Sequence, residues 1–387
     1  MIETGRVANK IFGLDLMRVG AILLVLSAHI LWIYPDCKNL LTKAMSFSGF
    51  IGVEIFFVLS GFLIGGSLHR AFLKENYNLA MMRNFLRRRL FRIMPNYLLI
   101  LIVNLIVFSA IGYNIAEPWK YFVFLQNFAS PMLPFFPESW SMAIKEIPYF
   151  IIPFVLLFLA GFAPSGRRNR LFLFMVFGLI AIPMAAKIWF YFHHSVTLAQ
   201  WNVSLRSVAI YRIDAVMTGV LFTWIRYNYI NFWRRYKVPM LIFGLSVLAI
   251  LAALVGFIKI GIENHPFFWD VIFLPAISIA SASFLPFFSE WKSAHSILEK
   301  PVKFLGAVSY FVYLTHYSLI LYTMKYLIDT TSLPLITRHI FTFAYLVLTF
   351  ALSWLLYTYF EKPILRLRER KTKAYGAIEQ PKPDIRA

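Results

Sequence analysis

Two side chains that can do chemistry lie in one apolar stretch, residues 14–34, with the sequence LDLMRVGAILLVLSAHILWIY: Arg18 and His29. A bilayer is crossed by a helix of about twenty apolar residues, and ionisable groups inside such a helix are costly and mark functional sites. Arg18 and His29 are 11 positions apart, so they share one helix face about 16 Å from each other along the axis. This spacing predicts a site that is entered from the Arg18 side, with the chemistry deeper, at His29.

A second group of candidates lies inside the second apolar stretch and directly before the third. Glu54 lies in a glycine- and phenylalanine-rich segment, where a carboxylate needs a partner, water or the membrane interface. Arg89 and Arg92 are three positions apart and face one way on a helix. Their guanidinium groups can clamp a phosphate, or they anchor the chain to lipid phosphates. Pro95 then breaks or kinks that helix.

Aromatic and polar residues lie at the end of the longest predicted outer loop, about 114–146, and at the start of the span that follows it. They are Trp140, Ser141, Lys145, Glu146 and Tyr149. Rings beside a carboxylate suit a sugar, although such rings also form the aromatic belt of a membrane protein. We expect Glu146 at the outer edge of a span that covers about 147–163.

Two further pairs lie later in the chain. Arg212 and Asp214 are two positions apart, so on a helix they do not face each other and each needs another partner. Tyr313 and His316 are three positions apart and can share a face.

Composition indicates a membrane protein. The 387 residues are 60% hydrophobic and only 14% charged, well outside the usage of soluble domains. The net charge of +20 comes from cations in loops, so it predicts topology and does not require a nucleic-acid partner. The only cysteine, Cys37, excludes an internal disulfide and a thiolate metal centre, and we expect no metal. The first apolar stretch is expected to be a span rather than a cleaved signal.

The fold predicted is all-α: a polytopic transmembrane bundle of about ten spans. Successive spans place the segments between them on alternate sides of the membrane. Of the 38 lysines and arginines, 27 fall in the segments on the side of the N-terminus and eight in the opposite loops. The positive-inside rule therefore predicts cytoplasmic N- and C-termini. The domains expected are a cytoplasmic N-terminus (1–11), a membrane domain (12–363) and a basic cytoplasmic tail (364–387), disordered at its end. The spans are expected at about 12–34, 46–68, 94–113, 147–163, 171–192, 205–225, 238–258, 268–288, 304–327 and 337–360.

Seven ordered pieces of this sequence resemble the acyltransferase-3 family, the integral-membrane O-acyltransferases that modify bacterial polysaccharides. The resemblance covers about residues 14–363. Its pieces are Asp15 with Arg18 and His29, the segment GVEIFFVLSGFLIG, Arg89 with Arg92, Trp140-Ser141 with Tyr149, Arg212 with Asp214, Tyr313 with His316, and Glu361-Lys362-Pro363. The chain departs from the family at Lys145, where a glutamate is common, and Glu146 is next in line.

The resemblance implies transfer of an acyl group, expected to be acetyl, from cytoplasmic acetyl-CoA to a hydroxyl of a glycan or lipid-linked sugar on the outer side. It implies His29 as general base, with Asp15 and Glu146 as the other catalytic residues. The donor phosphates are expected at Arg18, Arg89 and Arg92. The substrate-binding residues expected are Glu54, Trp140, Ser141, Tyr149, Arg212, Asp214, Tyr313 and His316.

Three alternatives stay open at this stage. The intramembrane polar residues could line the path of a transporter or flippase. His29 could carry the acyl group covalently instead of acting as a base. The acyl group could be succinyl or longer. In each case we expect a multi-pass protein of the bacterial cytoplasmic (inner) membrane, in contact with lipids.

Overall fold

The computed structural model describes residues 11–74, 77–162 and 164–366, and within them the chain forms helices and no β-strand. This confirms the all-α prediction. In the described residues, nine helical segments are long and apolar enough to cross a membrane. They are Phe12–Ile33, Leu40–Phe72, Leu79–Ala110, Pro137–Phe162, Arg168–His193, Lys237–Gly256, Phe268–Glu290, Ser296–Leu327 and Leu335–Arg366. The chain is therefore a multi-pass membrane protein.

We number ten bundle helices in chain order. They are α1 (Phe12–Ile30), α2 (Leu40–Phe72), α3 (Leu79–Ala110), α4 (Trp140–Phe162), α5 (Arg168–His193), α6 (Ile213–Asn228), α7 (Lys237–Gly256), α8 (Leu274–Ala282), α9 (Ser296–Thr315) and α10 (Leu335–Leu356). Tighter or wider turns extend several of them: the 3-10 turn Leu31–Ile33 after α1, and the π-helical segments Phe268–Phe273, His316–Tyr322 and Tyr357–Glu361 around α8, α9 and α10.

The sixth expected span, about 205–225, is present as the shorter helix α6. Its 16 residues follow a π-helical segment at Asn202–Arg206 and a 3-10 turn at Ala209–Tyr211. Arg206, Arg212 and Asp214 make this region too polar and too irregular for one long apolar helix. Counted with α6, the part of the chain that the structure describes has ten bundle helices, nine of them in segments long and apolar enough to cross a membrane, which is consistent with the predicted number of about ten spans.

Helix α6 runs parallel to α2 and packs closely on it. A Cβ atom added to Gly61 would collide with the carbonyl oxygen of Val216, and one added to Gly219 would collide with that of Val58. Small residues let helix backbones approach to this extent in a membrane. These glycines therefore serve helix packing.

Two boundaries differ from the expectation. Helix α4 begins at Trp140, directly after the 3-10 turn Pro137–Ser139, so Glu146 is 4% exposed inside the helix instead of lying at a loop edge. Helix α3 begins at Leu79 and continues to Ala110 with Pro95 inside it, so the proline does not end the helix. Both helices thus begin earlier than hydropathy alone predicts: the first turns of α3 carry exposed arginines, and Glu146 in α4 is accommodated by its contact with Arg89 of α3.

Helix α1 packs between α2 and α9. It runs parallel to α9, because Asp15 near the start of α1 lies next to Gly306 in the middle of α9, and His29 near the end of α1 meets His316 directly after the end of α9. The orientation of this bundle in the membrane stays a prediction. The expected N-terminal segment 1–11 and the tail 364–387 lie, apart from residues 11 and 364–366, outside the described residues.

Candidate active site

A cavity of 660 Å³ lies at the end of the bundle where α1, α3 and α9 begin. We call it the basic cavity, because Arg18, Arg88, Arg89, Arg92 and Lys145 line it. Arg88 and Arg92 are exposed at its mouth, whereas Ser141 and Tyr313 in its lining are buried. The cavity therefore leads from a strongly positive opening into the middle of the bundle.

Acidic and aromatic residues hold the arginines of the basic cavity in place. Nη2 of Arg89 lies 3.2 Å from Oε1 of Glu146, and its guanidinium lies 4.1 Å from the centre of the Tyr149 ring. Arg18 pairs with Asp15 one turn earlier on α1, at 2.5 Å. These contacts orient the guanidinium groups while leaving most of their N–H donors available for an anion.

The deep end of the basic cavity is formed by Ser141, Lys145 and Tyr313. The Tyr313 hydroxyl lies 2.6 Å from the Ser141 hydroxyl and donates to the carbonyl oxygen of Glu138 at 3.1 Å. The Lys145 ammonium lies 5.5 Å from the centre of the Tyr313 ring, a cation–π distance. One positive charge and two hydroxyls thus converge where the cavity ends.

His316 and His29 lie directly beyond this wall. The rings of Tyr313 and His316 have centres 5.7 Å apart, and Nε2 of His316 lies 3.2 Å from Nδ1 of His29. His316 is fully buried, whereas His29 is partly exposed. The two imidazoles therefore form a pair between α1 and α9, with His29 as the accessible member.

The hydrogen bonds define which nitrogens of the pair carry protons in the neutral rings. Nδ1 of His316 faces the carbonyl oxygens of Tyr313 and Val312, at 2.8 and 3.1 Å, and so must donate. Its Nε2 is then an acceptor, and Nδ1 of His29, which also faces the carbonyl of Val25 at 3.0 Å, must donate. This leaves Nε2 of His29 with a free lone pair, as a base requires.

A separate group of buried charges ties α2, α5, α6 and α8 together. Arg212 pairs with Glu54, which also accepts a hydrogen bond from Ser278 at 2.6 Å, and Lys187 pairs with Asp214. The Arg212 and Lys187 side chains are 0% exposed. We call these four charged residues the ion-pair cluster. As expected, Arg212 and Asp214 each have a different partner.

The structure divides the expected site residues into three sets. The basic cavity is lined by Asp15, Arg18, Arg89, Arg92, Ser141, Glu146, Tyr149 and Tyr313. His29 and His316 lie just beyond its deep end. Outside its lining are Glu54, Trp140, Arg212 and Asp214. Glu146, which we expected near the outer surface, is thus placed with the arginines.

Several residues of these sites were not singled out from the sequence. Lys187 lies within an apolar stretch, and a cation in such a stretch indicates a buried residue of opposite charge as its partner. Glu138 accepts hydrogen bonds from the backbone and hydroxyl of Ser318, but it lies in a loop without any pattern that indicates this contact. Arg206 lies 5.0 Å from the centre of the Trp140 ring, and such a contact depends on the tertiary fold.

Comparison with known proteins agrees with this architecture. The acyltransferase-3 family, described as an acyltransferase domain, matches residues 11–358, and the chain belongs to it. The chain is 25% identical over 397 residues to the O-acetyltransferase OatA of Staphylococcus aureus, covering 96% of this chain and 59% of that protein. It is 26% identical over 392 residues to the peptidoglycan O-acetyltransferase OatA of Listeria monocytogenes, covering 94% of this chain and 57% of that protein.

The chain thus spans about three fifths of the length of the curated relatives it matches. No solved structure matches it significantly.

The ion-pair cluster generates a prediction about stability. Glu54→Gln removes the countercharge of Arg212, which has no access to water, so the free energy of unfolding should fall by about 3–5 kcal/mol. The double variant Glu54→Leu/Arg212→Met removes both charges and should recover most of this loss. Thermal unfolding of the purified protein in detergent measures both effects.

Glu299→Gln is the matched control, because Glu299 pairs with Lys303 at the surface, where the side chain of Lys303 is 47% exposed. Such a pair contributes about 0–1 kcal/mol. Equal melting temperatures for Glu54→Gln and Glu299→Gln would show that the cluster does not hold the helices together.

Proposed function

We propose that this protein is a membrane-bound O-acetyltransferase that moves an acetyl group from acetyl-CoA to a hydroxyl of a cell-surface glycan. The observation that carries the proposal is the basic cavity, whose deep wall at Ser141 and Tyr313 lies against the His316–His29 pair. Membership of the acyltransferase-3 family supports acyl transfer. The names of the two OatA relatives support acetyl as the group transferred, and the name of the Listeria monocytogenes relative supports a glycan as its acceptor.

The chemistry of the basic cavity suits acetyl-CoA as donor. The molecule carries phosphates at one end, which match the guanidinium groups of Arg18, Arg89 and Arg92. Its long, thin pantetheine arm would pass between Tyr149 and Tyr310 toward Tyr313. In this proposal Asp15 and Glu146 act by orienting Arg18 and Arg89, to which they are paired.

The reaction follows from the free lone pair of His29. Nε2 of His29 takes the proton of the acceptor hydroxyl while the oxygen of that hydroxyl attacks the thioester carbonyl. The new C–O bond forms, the C–S bond breaks, and the coenzyme leaves as a thiolate that recovers the proton from the imidazolium. Lys145 supplies positive charge at the deep end of the cavity, where the carbonyl oxygen becomes negative. His316 is a positioning residue that holds the tautomer of His29.

The proposal also gives the protein an orientation. The mouth of the basic cavity would face the cytoplasm, where acetyl-CoA is made, and the excess of basic residues in the loops on that side supports this placement. The N- and C-termini are then cytoplasmic, in the cytoplasmic membrane of a bacterium. The buried charges of the ion-pair cluster are paired with one another and lie off the cavity, which favours a structural role for them over a transport path.

The transfer reaction is tested with radiolabelled acetyl-CoA and peptidoglycan strands in membranes that contain the protein. Wild type should label the strands. His29→Ala should lower the rate by at least about a hundredfold, because the general base is lost, while acetyl-CoA still binds. His193→Ala is the matched control, since His193 is an exposed histidine that stacks on Trp189, away from the cavity lining.

A wild-type protein that binds no acetyl-CoA and labels no strands would overturn the proposed function. Labelling that persists in His29→Ala would remove His29 from the chemistry and leave the transfer reaction standing.

The role of His316 is tested by two substitutions, one that keeps a hydrogen-bond acceptor at this position and one that removes it. His316→Gln can still present an acceptor to Nδ1 of His29, whereas His316→Leu cannot, so kcat should fall much further in the leucine variant. KM for acetyl-CoA should stay within about threefold of wild type in both, because His316 does not line the cavity. Equal losses of kcat in the two variants, together with unchanged melting temperatures, would contradict the positioning role.

A further inference from the structure

A second concavity, of 270 Å³, lies at the end of the bundle opposite the mouth of the basic cavity. We call it the aromatic cleft. The end of α1 and the segment after α9 form it, and its lining residues are Trp32, Tyr317, Leu321, Tyr322, Lys325 and Tyr326. Trp32 and Tyr326 are 53% and 58% exposed, so the cleft is open at this end.

The aromatic cleft reaches His29. The rings of His29 and Tyr317 have centres 4.9 Å apart, and the rings of Tyr317 and Trp32 have centres 5.9 Å apart. Tyr317 is therefore both a wall of the cleft and a neighbour of the proposed base. A group bound against Trp32 would lie one ring away from His29, on the side that the basic cavity does not occupy.

One wall of the cleft is fixed by a charged residue. The ammonium of Lys325 donates to the carbonyl oxygen of Trp32 at 2.6 Å and lies 5.7 Å from the centre of the Trp32 ring. This contact joins the end of α1 to the segment after α9 and holds the indole in place. Such a cation also retains N–H donors for a polar ligand.

The chemistry of the lining indicates the class of ligand. Indole and phenol rings pack against apolar C–H faces, while phenol hydroxyls and an ammonium bind hydroxyl groups. A pyranose ring offers both kinds of surface. The volume of the cleft is close to the lower limit of about 300 Å³ for small-molecule sites, which suits one sugar unit of a longer chain.

We propose that the aromatic cleft binds a pyranose ring of the acceptor glycan and presents its hydroxyl to His29. This inference rests on the proposed O-acetyl transfer and adds where the acceptor enters. Donor and acceptor then approach His29 from opposite ends of the bundle, and only the acetyl group passes between them. Exposed aromatic residues of a lipid-facing belt would not need to line a concavity, nor would one of them need to contact the proposed base as Tyr317 contacts His29.

The test measures binding of soluble peptidoglycan strands to the purified protein without acetyl-CoA, and then the KM for those strands in the transfer reaction. Trp32→Ala should weaken strand binding and raise this KM by about tenfold or more, because it removes the aromatic anchor. Trp32→Phe keeps a ring and should stay within about threefold of wild type. Binding of acetyl-CoA should be unchanged in both.

Trp189→Ala is the matched control, because Trp189 is 52% exposed on α5 and lines neither cavity. Strand binding that is equal in wild type and Trp32→Ala would overturn the aromatic cleft as the acceptor site, while labelled transfer by wild type would leave the proposed function intact. Strand binding that depends on Trp32 in a protein without transfer activity would support the cleft and overturn the proposed function instead.

Discussion

The contact between His29 and His316 is the constraint on which the site depends. It joins α1 to α9 at the depth where the basic cavity ends and the aromatic cleft begins. Because the two helices run parallel, the same pair of elements supplies Asp15 and Arg18 near the cavity mouth and Trp32 and Tyr317 in the cleft. A shift of one helix along the other would separate the imidazoles and disconnect the two recesses.

The frame around this contact is held by different forces. Close glycine contacts bring α2 against α6, and the ion-pair cluster connects these two helices to α5 and α8. Ion pairs such as Glu54 with Arg212 exclude water, so each partner is needed to offset the desolvation of the other. The ion pairs of the frame lie off the cavity, whereas the Arg18–Asp15 and Arg89–Glu146 pairs line an open space where an anion can bind.

Much of the fold could be predicted from the sequence, because hydropathy and the distribution of basic residues report directly on the membrane. The shared face of Arg18 and His29 and that of Arg89 and Arg92 follow from helix periodicity. The ion-pair partner of each charged residue did not follow from the sequence. Glu146 pairs with Arg89 because α4 begins earlier than hydropathy indicates, and the residues next to either one in the sequence do not indicate this pair. The aromatic cleft also escaped prediction, because it combines residues almost 300 positions apart in the chain, Trp32 and Tyr326.

Delivery of the acyl group to His29 is tested most directly by the structure of the protein in a lipid nanodisc with S-acetonyl-CoA, an analogue in which a methylene between sulfur and carbonyl prevents transfer. We expect its phosphates among Arg18, Arg89 and Arg92, and its ketone beside Tyr313 on the side that faces His29. An analogue bound outside the basic cavity, or one whose ketone points away from the His29–His316 pair, would contradict the central claim that the cavity delivers the acyl group to these imidazoles.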